Sequence, residues 1–101
     1  MNFGLVMEVT IKSAKQLGKL ASIVRKSQKL DQKTAGDFSG ISINTVSDFE
    51  NGTGSLSIGR AFDLMEALGL EVKIDVVIPQ HDEKAKSKLI TQIQNMVAGY
   101  E

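Results

Sequence analysis

The chain has 101 residues, of which 42% are apolar and 24% are charged, and its formal net charge at neutral pH is zero. This length suits one domain with a short appendage, and the composition is that of an ordinary globular protein. The sequence has no run of 18 apolar residues and no secretory signal at its start, so we expect neither a membrane span nor export. It contains no cysteine, which excludes disulfides and thiolate metal sites and fits a cytoplasmic protein.

The charges are divided unevenly along the chain. Residues 12–33 carry seven bases and one acid, whereas residues 34–83 carry nine acids and two bases. A neutral protein polarised in this way can present a basic face to phosphate. An ordinary solvated helix face that happens to be basic would give the same pattern, so charge alone leaves both interpretations open.

The start of the chain is predicted to be extended and then helical. Residues 1–12 alternate between apolar and other side chains, which predicts an arm or a strand. Ser13 and Gln16 follow with the spacing of a capping box, in which each side chain satisfies the backbone N–H of the other residue. Apolar residues at helical spacing then predict the first helix over residues 14–28.

The second predicted helix is short and covers residues 32–38, with Ala35 and Phe38 facing the core. It ends at Gly40, because glycine accepts the left-handed conformation that a tight turn requires. Gly36 inside it is a poor helix former, so this helix is expected to be weak.

Two further helices are predicted before residue 70. Residues 43–50 form the third helix, with Ser42 as its N-cap and Val46 and Phe49 on its buried side. A glycine-rich loop follows, and apolar residues at helical spacing predict a fourth helix over residues 58–68.

The pattern changes to a period of two after the fourth helix. Residues 71–79 alternate in polarity and end at a proline, which predicts a β-strand. Because a lone strand leaves backbone groups unpaired, it needs either the N-terminal arm or the same strand of a second subunit beside it. The second choice makes dimerisation residues of Val72, Ile74 and Val76. Residues 80–101 form a tail that is predicted to be helical from its amphipathic spacing.

Two short helices joined by a glycine turn form the basic unit of helix-turn-helix DNA binding, in which the second helix enters the major groove. The outward residues at the start of the third helix include an amide suited to adenine, an apolar contact for thymine and a carboxylate that accepts from cytosine. Taken alone, each residue also suits an ordinary cap or surface position. The predicted base-reading residues are Ser42, Ile43, Asn44, Ser47 and Asp48. The predicted phosphate-binding residues are Gln32, Lys33, Thr45, Gly52 and Thr53.

Residues 31–52, DQKTAGDFSGISINTVSDFENG, resemble the lambda-repressor-like helix-turn-helix family, with Gln32 opening the second helix and Phe-Glu-Asn-Gly closing the third. The resemblance covers residues 13–70, taken as the DNA-binding domain. It implies a mostly α fold of four or five helices that binds a palindromic operator in double-stranded DNA as a homodimer. It also implies a structural ion pair between Arg25 and Glu50.

The strand predicted after the fourth helix makes the chain similar to HipB-type antitoxins, in which strands of two subunits pair as a small β-lid. The opening residues 9–13, VTIKS, also resemble that group. The resemblance implies a cytoplasmic repressor of its own operon that also binds a HipA-type kinase toxin. Two alternatives remain open. One is a stand-alone XRE-type repressor without a toxin. The other is a protein-interaction module that no longer binds DNA, favoured by the zero net charge and the lack of arginine in the third helix.

No catalytic residue, cofactor or metal site is predicted. His81 is the only histidine, and no base or nucleophile stands at a recognisable spacing from it. The glycines on either side of Thr53 lack the spacing and the preceding strand of a phosphate-binding loop. We therefore do not expect an enzyme.

Overall fold

The computed structural model describes residues 4–99, which form two compact units, residues 4–71 and residues 72–99. The first unit contains four helices: α1 (Ala14–Ser27), α2 (Gln32–Ser39), α3 (Ile43–Glu50) and α4 (Ile58–Ala67). The second contains α5 (Glu83–Ala98). Helix α1 packs against α3, and α2 packs against both α3 and α4. These five helices confirm the mostly α architecture expected from the sequence.

Each helix begins at a side chain that accepts a hydrogen bond from the backbone N–H three residues further on. These N-caps are Ser13, Asp31, Ser42, Ser57 and Asp82. Such a cap satisfies a donor that the helix itself cannot pair. At α1 the capping box differs from the predicted one, because the oxygen Oε1 of Gln16 accepts from the N–H of Lys12, at 2.7 Å, and not from that of Ser13.

The end of α1 is tied to the end of α4. Lys29 follows α1 with a φ of 58°, a left-handed conformation that is uncommon outside glycine. This turn lets the N–H of Leu30 donate back to the carbonyl oxygen of Arg25 at 3.2 Å. The side-chain amide of Gln28 donates to the carbonyl oxygen of Leu68 at 2.7 Å, which fixes the two helix ends against each other.

The core of the first unit is built from small and aliphatic side chains with one aromatic ring. Its buried members are Ala21, Ala35, Ile41, Val46, Phe49, Leu64 and Leu68. The prediction that Phe38 faces this core is wrong, since its side chain is 67% exposed. Helix α2 is too short to bury a second turn: it turns Ala35 and Gly36 inward, and Ile41 fills the core after the turn.

Residues 4–99 contain no β-strand, so the strand predicted over residues 71–79 is not confirmed, and residues 4–12 of the arm have no regular secondary structure. A strand is defined by its hydrogen bonds to a neighbouring strand. Of the two neighbours considered for residues 71–79, the arm forms no strand pairing within residues 4–12, and the second subunit implied by the resemblance is not part of a single chain. The first three residues of the arm and the last two of the tail lie outside the described residues.

Helix α5 confirms the C-terminal helix, and none of its residues is buried. Its apolar stripe ends at Met96 and Val97, which are 52% and 76% exposed. None of the helices described between residues 4 and 99 is both long and apolar enough to cross a membrane.

Candidate nucleic-acid interface

Helices α2 and α3 and the turn between them form a helix-turn-helix unit. Gly40 adopts a φ of 70°, and the N–H of Ile41 donates to the carbonyl oxygen of Gly36 at 2.8 Å, so α2 ends here and the chain turns within a few residues. Ser42 then starts α3, because its hydroxyl accepts from the N–H of Thr45 at 3.1 Å. The two hydroxyls of Ser42 and Thr45 also share a hydrogen bond of 2.8 Å. The turn therefore sets the position at which α3 begins.

Gly36 and Gly18 let two pairs of segments approach more closely than a residue with a side chain would allow. A Cβ atom on Gly36 would overlap the carbonyl oxygen of Ile41, and one on Gly18 would overlap that of Phe49. Gly36 is thus required by the tight turn, a reason that helix propensity did not reveal. Sequence reasoning missed Gly18 entirely, although an unexplained glycine inside a strong helical pattern is a usual sign of close packing.

Helix α3 is buried on one side and open at its leading end. Val46 and Phe49 lie in the core. Four of the five predicted base-reading residues are exposed: Ser42, Ile43, Asn44 and Asp48. The fifth, Ser47, is half-buried. An amide, a hydroxyl, a carboxylate and an isoleucine methyl thus reach solvent from a helix whose other side is fixed.

The far end of α3 is held by a buried ion pair with α1. The Nε atom of Arg25 donates to Oε2 of Glu50 at 2.6 Å, and its Nη2 atom donates to Oε1 at 2.9 Å. The remaining terminal nitrogen, Nη1, donates to the carbonyl oxygen of Leu30 at 2.7 Å. Both side chains are more than nine-tenths buried. The pair fixes α3 to α1 and to the turn that leads into α2.

Burial acts to raise the pKa of Glu50, but the hydrogen bonds from Arg25 and Gln32 and the charge of Arg25 outweigh it and lower the pKa below its ordinary value. The pKa of Arg25 is raised by its hydrogen bond to Glu50, against the opposing effect of burial. Both groups therefore stay charged at neutral pH. Because Gln32 donates to Glu50 at 3.0 Å, its side-chain amide belongs to this network.

Of the other predicted phosphate-binding residues, Thr45 is half-buried in the first turn of α3, and the remaining three lie at the two ends of the unit. Lys33 is exposed at the start of α2 and pairs with Asp37 at 2.9 Å, a contact that raises the pKa of Lys33. At the other end, the amides of Gly52 and Thr53 donate to the carbonyl oxygens of Phe49 and Asp48, at 3.1 and 2.8 Å. These two amides are used to terminate α3, so phosphate binding by the loop depends on other groups.

Arg60 is a residue of this region that sequence reasoning missed. Its Nη1 atom donates to the carbonyl oxygen of Gly40 at 3.0 Å, which ties the first turn of α4 to the turn before α3. A positively charged side chain in the first turn of a helix is unfavourable because the helix dipole is positive at that end. This unfavourable position is the feature of the sequence that could have drawn attention to Arg60. Within residues 4–99, no group of three histidine, aspartate or glutamate residues is placed to hold a metal ion.

Comparison with known proteins gives a consistent result for this region. The profile of a family described as "Helix-turn-helix" matches residues 22–74. An uncharacterized HTH-type transcriptional regulator, y4mF of Sinorhizobium fredii, is 31% identical over 78 residues, which are 77% of this chain and all of that protein.

Solved structures share the fold as well. A structure described as a HipA–HipB–O2–O3 complex contains a chain that is 25% identical, with a TM-score of 0.63 over 68% of this chain and 97% of that one. A HipB–O4 20mer complex gives 25% identity and a TM-score of 0.62 over the same shares. A structure described as MDT Protein also gives 25% identity and a TM-score of 0.62, over 68% of this chain and 97% of that one.

Proposed function

Because the chain belongs to the helix-turn-helix family, we propose that it is a DNA-binding transcriptional repressor of the XRE type that reads a specific operator. The observation that carries this proposal is the open leading end of α3, where Ser42, Ile43 and Asn44 are exposed while Val46 and Phe49 anchor the opposite side. An α-helix held in this way fits the major groove, where each base pair shows a distinct pattern of donors and acceptors.

The base-reading roles follow from the chemistry of each exposed side chain. Asn44 pairs with the N6 and N7 edge of adenine, and Ile43 packs against the methyl group of thymine. Asp48 accepts from the amino group of cytosine and repels phosphate elsewhere. Because α3 carries neither arginine nor lysine, the strongest guanine contact is missing from it, and we expect an operator that is read mainly at A·T pairs.

Phosphate contacts position the protein without reading sequence. The exposed ion pair between Lys33 and Asp37 is weak enough to open in favour of a phosphate oxygen. Thr45 and Thr53 carry hydroxyls near the two ends of α3, which would have to exchange their present partners, the hydroxyl of Ser42 and the carbonyl oxygen of Asp48, for phosphate. Gln32 acts through Glu50, by holding the start of α2 in place.

We propose that two copies pair through residues 71–79 and that the resulting homodimer binds a palindromic operator. Three apolar side chains in this segment are at least 44% exposed and alternate along the chain: Val72, Ile74 and Val76. Pairing with the same segment of a second subunit would give the backbone N–H and C=O groups of these residues hydrogen-bond partners and would cover these side chains. The two recognition helices would then lie about 34–36 Å apart, one turn of B-DNA.

The likeness to HipB suggests the finer proposal that the chain is the antitoxin of a toxin–antitoxin operon. One of the similar structures is described as holding HipB together with HipA. By analogy, this chain would repress its own operon and bind a HipA-type kinase toxin. Its place of action would be the cytoplasm, on the nucleoid. Co-expression with a kinase encoded beside it, followed by purification of a stable complex, tests this proposal; a gene without such a neighbour favours a stand-alone repressor.

Selection of bound DNA from a random pool, with the dimer state measured by light scattering, tests DNA recognition directly. We expect a palindromic consensus, and binding that weakens linearly with the logarithm of salt concentration. Asn44→Ala should relax the preference at one base position, whereas Lys33→Ala should weaken binding to all sequences and reduce the salt slope by about one. A protein that enriches no sequence and shows no salt-dependent binding would be an interaction module instead.

A further inference from the structure

The side chain of Lys15 lies across the loop that follows the recognition helix. A Cβ atom built on Gly52 would be 2.8 Å from Cγ of Lys15, 3.1 Å from its Cβ and 3.3 Å from its Cα. Gly52 has a φ of 74°, and its missing side chain leaves the space that the stem of Lys15 occupies. One turn further along α1, Gly18 brings this helix against the backbone of Phe49. The first turns of α1 are therefore fixed beside the end of α3.

The ammonium group of Lys15 is available to an anion. The residue is exposed, and neither the Arg25–Glu50 pair nor the Lys33–Asp37 pair involves it. The first carbons of the side chain already pack on Gly52. Fewer rotatable bonds therefore lose their freedom when the ammonium group binds phosphate than in a lysine that rotates freely. Lys33 differs in this respect, since its ammonium must first leave Asp37.

The loop after α3 needs such a cation if the DNA backbone passes over it. The amides of Gly52 and Thr53 are bonded to carbonyl oxygens at the end of α3, so they are unavailable to phosphate. The carboxylate of Asp48 adds a negative charge, since a Cβ on Gly54 would be 3.3 Å from its Oδ2 atom. The negative end of the α3 dipole acts in the same direction. Lys15 supplies a positive charge beside Gly52, in the same loop.

We propose that Lys15 is a phosphate-binding residue that grips the DNA backbone at the edge of the groove entered by α3. This inference rests on the proposed DNA-binding function. It places one phosphate contact on α1, in addition to the contacts expected from α2 and α3, and it uses the space that Gly52 leaves beside the loop. Any side chain there would push the stem of Lys15 away from the loop.

The test measures binding of the full-length chain to its selected DNA site by fluorescence anisotropy at several salt concentrations. The first variant is Lys15→Met, which keeps most of the stem and removes the charge, and Lys15→Arg is the conservative rescue. Lys26→Met is the matched control, since it lies 11 residues further along α1, about 16 Å away along the helix axis. A set of DNA sites in which single phosphates are replaced by neutral methylphosphonates locates the contact.

We expect Lys15→Met to weaken binding to all sequences roughly five- to tenfold at 0.1 M salt and to reduce the salt slope by about 0.9. Lys15→Arg should restore both values. One methylphosphonate should weaken the wild type and Lys26→Met but have no further effect on Lys15→Met. If wild type binds DNA and Lys15→Met keeps its affinity and slope, this inference fails alone. If wild type binds no DNA, the proposed function fails and the inference fails with it.

Discussion

Arg25 of α1 and Glu50 at the end of α3 are 25 residues apart in the sequence and meet through two parallel hydrogen bonds of 2.6 and 2.9 Å. Two planar groups joined in this way fix an orientation as well as a distance. Since Glu50 is the last residue of α3, the pair fixes the end of the helix opposite to the one that is open to solvent. The buried charges thus fix the position of α3 relative to α1.

We expect removal of either partner to destabilise the fold strongly. Arg25→Met or Glu50→Gln leaves the other group buried without its partner, which costs about 3–5 kcal/mol in the free energy of unfolding. The double variant should be less destabilised than the sum of the two single ones, because it leaves no unpaired charge. Urea denaturation of the four proteins measures this. Strictly additive effects would mean that the two residues act independently.

The lowered pKa of Glu50 predicts a loss of stability in acid. A carboxylate whose pKa is lower in the folded chain than in the unfolded one stabilises the fold above its ordinary pKa, about 4.3. That contribution is lost as the pH falls from there through the folded value. The free energy of unfolding, measured at pH values from 6 downward, should therefore decline more steeply for wild type than for Glu50→Gln. The same change at the exposed Glu66, which is outside this ion pair, is the control for the loss of one carboxylate.

Gly36 and Gly59 form a matched pair for testing close approach inside helices. Gly36→Ala should destabilise the protein by at least about 1–3 kcal/mol, because the new methyl group overlaps the carbonyl oxygen of Ile41. Gly59→Ala should stabilise it by about 0.5–1 kcal/mol, since nothing lies within 4 Å of its Cβ position and alanine favours α4. Thermal unfolding followed by circular dichroism distinguishes the two. Equal effects at both positions would show that Gly36 is not constrained by the turn.

Most of the first unit was predictable because local signals agree with one another. Ser42 starts α3 as a cap, Gly40 turns the chain as predicted, and the buried side of α3 is Val46 and Phe49. Each of these depends on residues within one or two turns of itself. The contact between α1 and the end of α3 is not local, and it was expected only through the resemblance to a known family.

What the sequence did not reveal depends on distances between elements. Phe38 fits an apolar stripe, yet it is exposed because α2 is only eight residues long and Ile41 occupies the core instead. The requirement for Gly18 follows from how near α1 lies to Phe49, which no local pattern records. The strand predicted over residues 71–79 is not confirmed, because an alternating pattern does not specify a pairing partner and residues 4–99 contain no strand.

The left-handed backbone conformation of Lys29 indicates a substitution that should stabilise the protein. With a φ of 58° it adopts a conformation that costs about 1–2 kcal/mol in a residue with a Cβ atom. Lys29→Gly removes this cost but adds conformational freedom to the unfolded chain, so a net gain of about 0.5–1 kcal/mol is expected. Lys26→Gly, inside α1, should instead lower stability by a similar amount. Chemical denaturation of both variants checks the prediction, and a loss of stability in Lys29→Gly would contradict it.

Asp31 sets the final prediction, because it is a good cap in an unfavourable place for a DNA-binding protein. Its Oδ1 atom accepts from the N–H of Thr34 at 2.7 Å. Hydrogen bonds from that amide and from the Thr34 hydroxyl, together with the nearby charges of Lys33 and Arg25, lower the pKa of Asp31. The carboxylate is therefore ionised at neutral pH and lies next to Gln32 and Lys33, where phosphate is proposed to bind.

Asp31→Ser keeps the cap, since serine and aspartate are nearly equivalent there, and it removes the charge. Because its lowered pKa means that the ionised Asp31 stabilises the fold, Asp31→Ser should lose a small part of the stability near neutral pH. Affinity for operator DNA should rise several-fold at about 0.05 M salt and approach that of wild type as salt screens the repulsion. Asp82→Ser makes the same change at the N-cap of α5 and should leave affinity unaltered. If Asp31→Ser binds DNA no more tightly than wild type at low salt, the backbone of the duplex does not pass the start of α2, and the proposed phosphate contact of Lys33 is wrong as well.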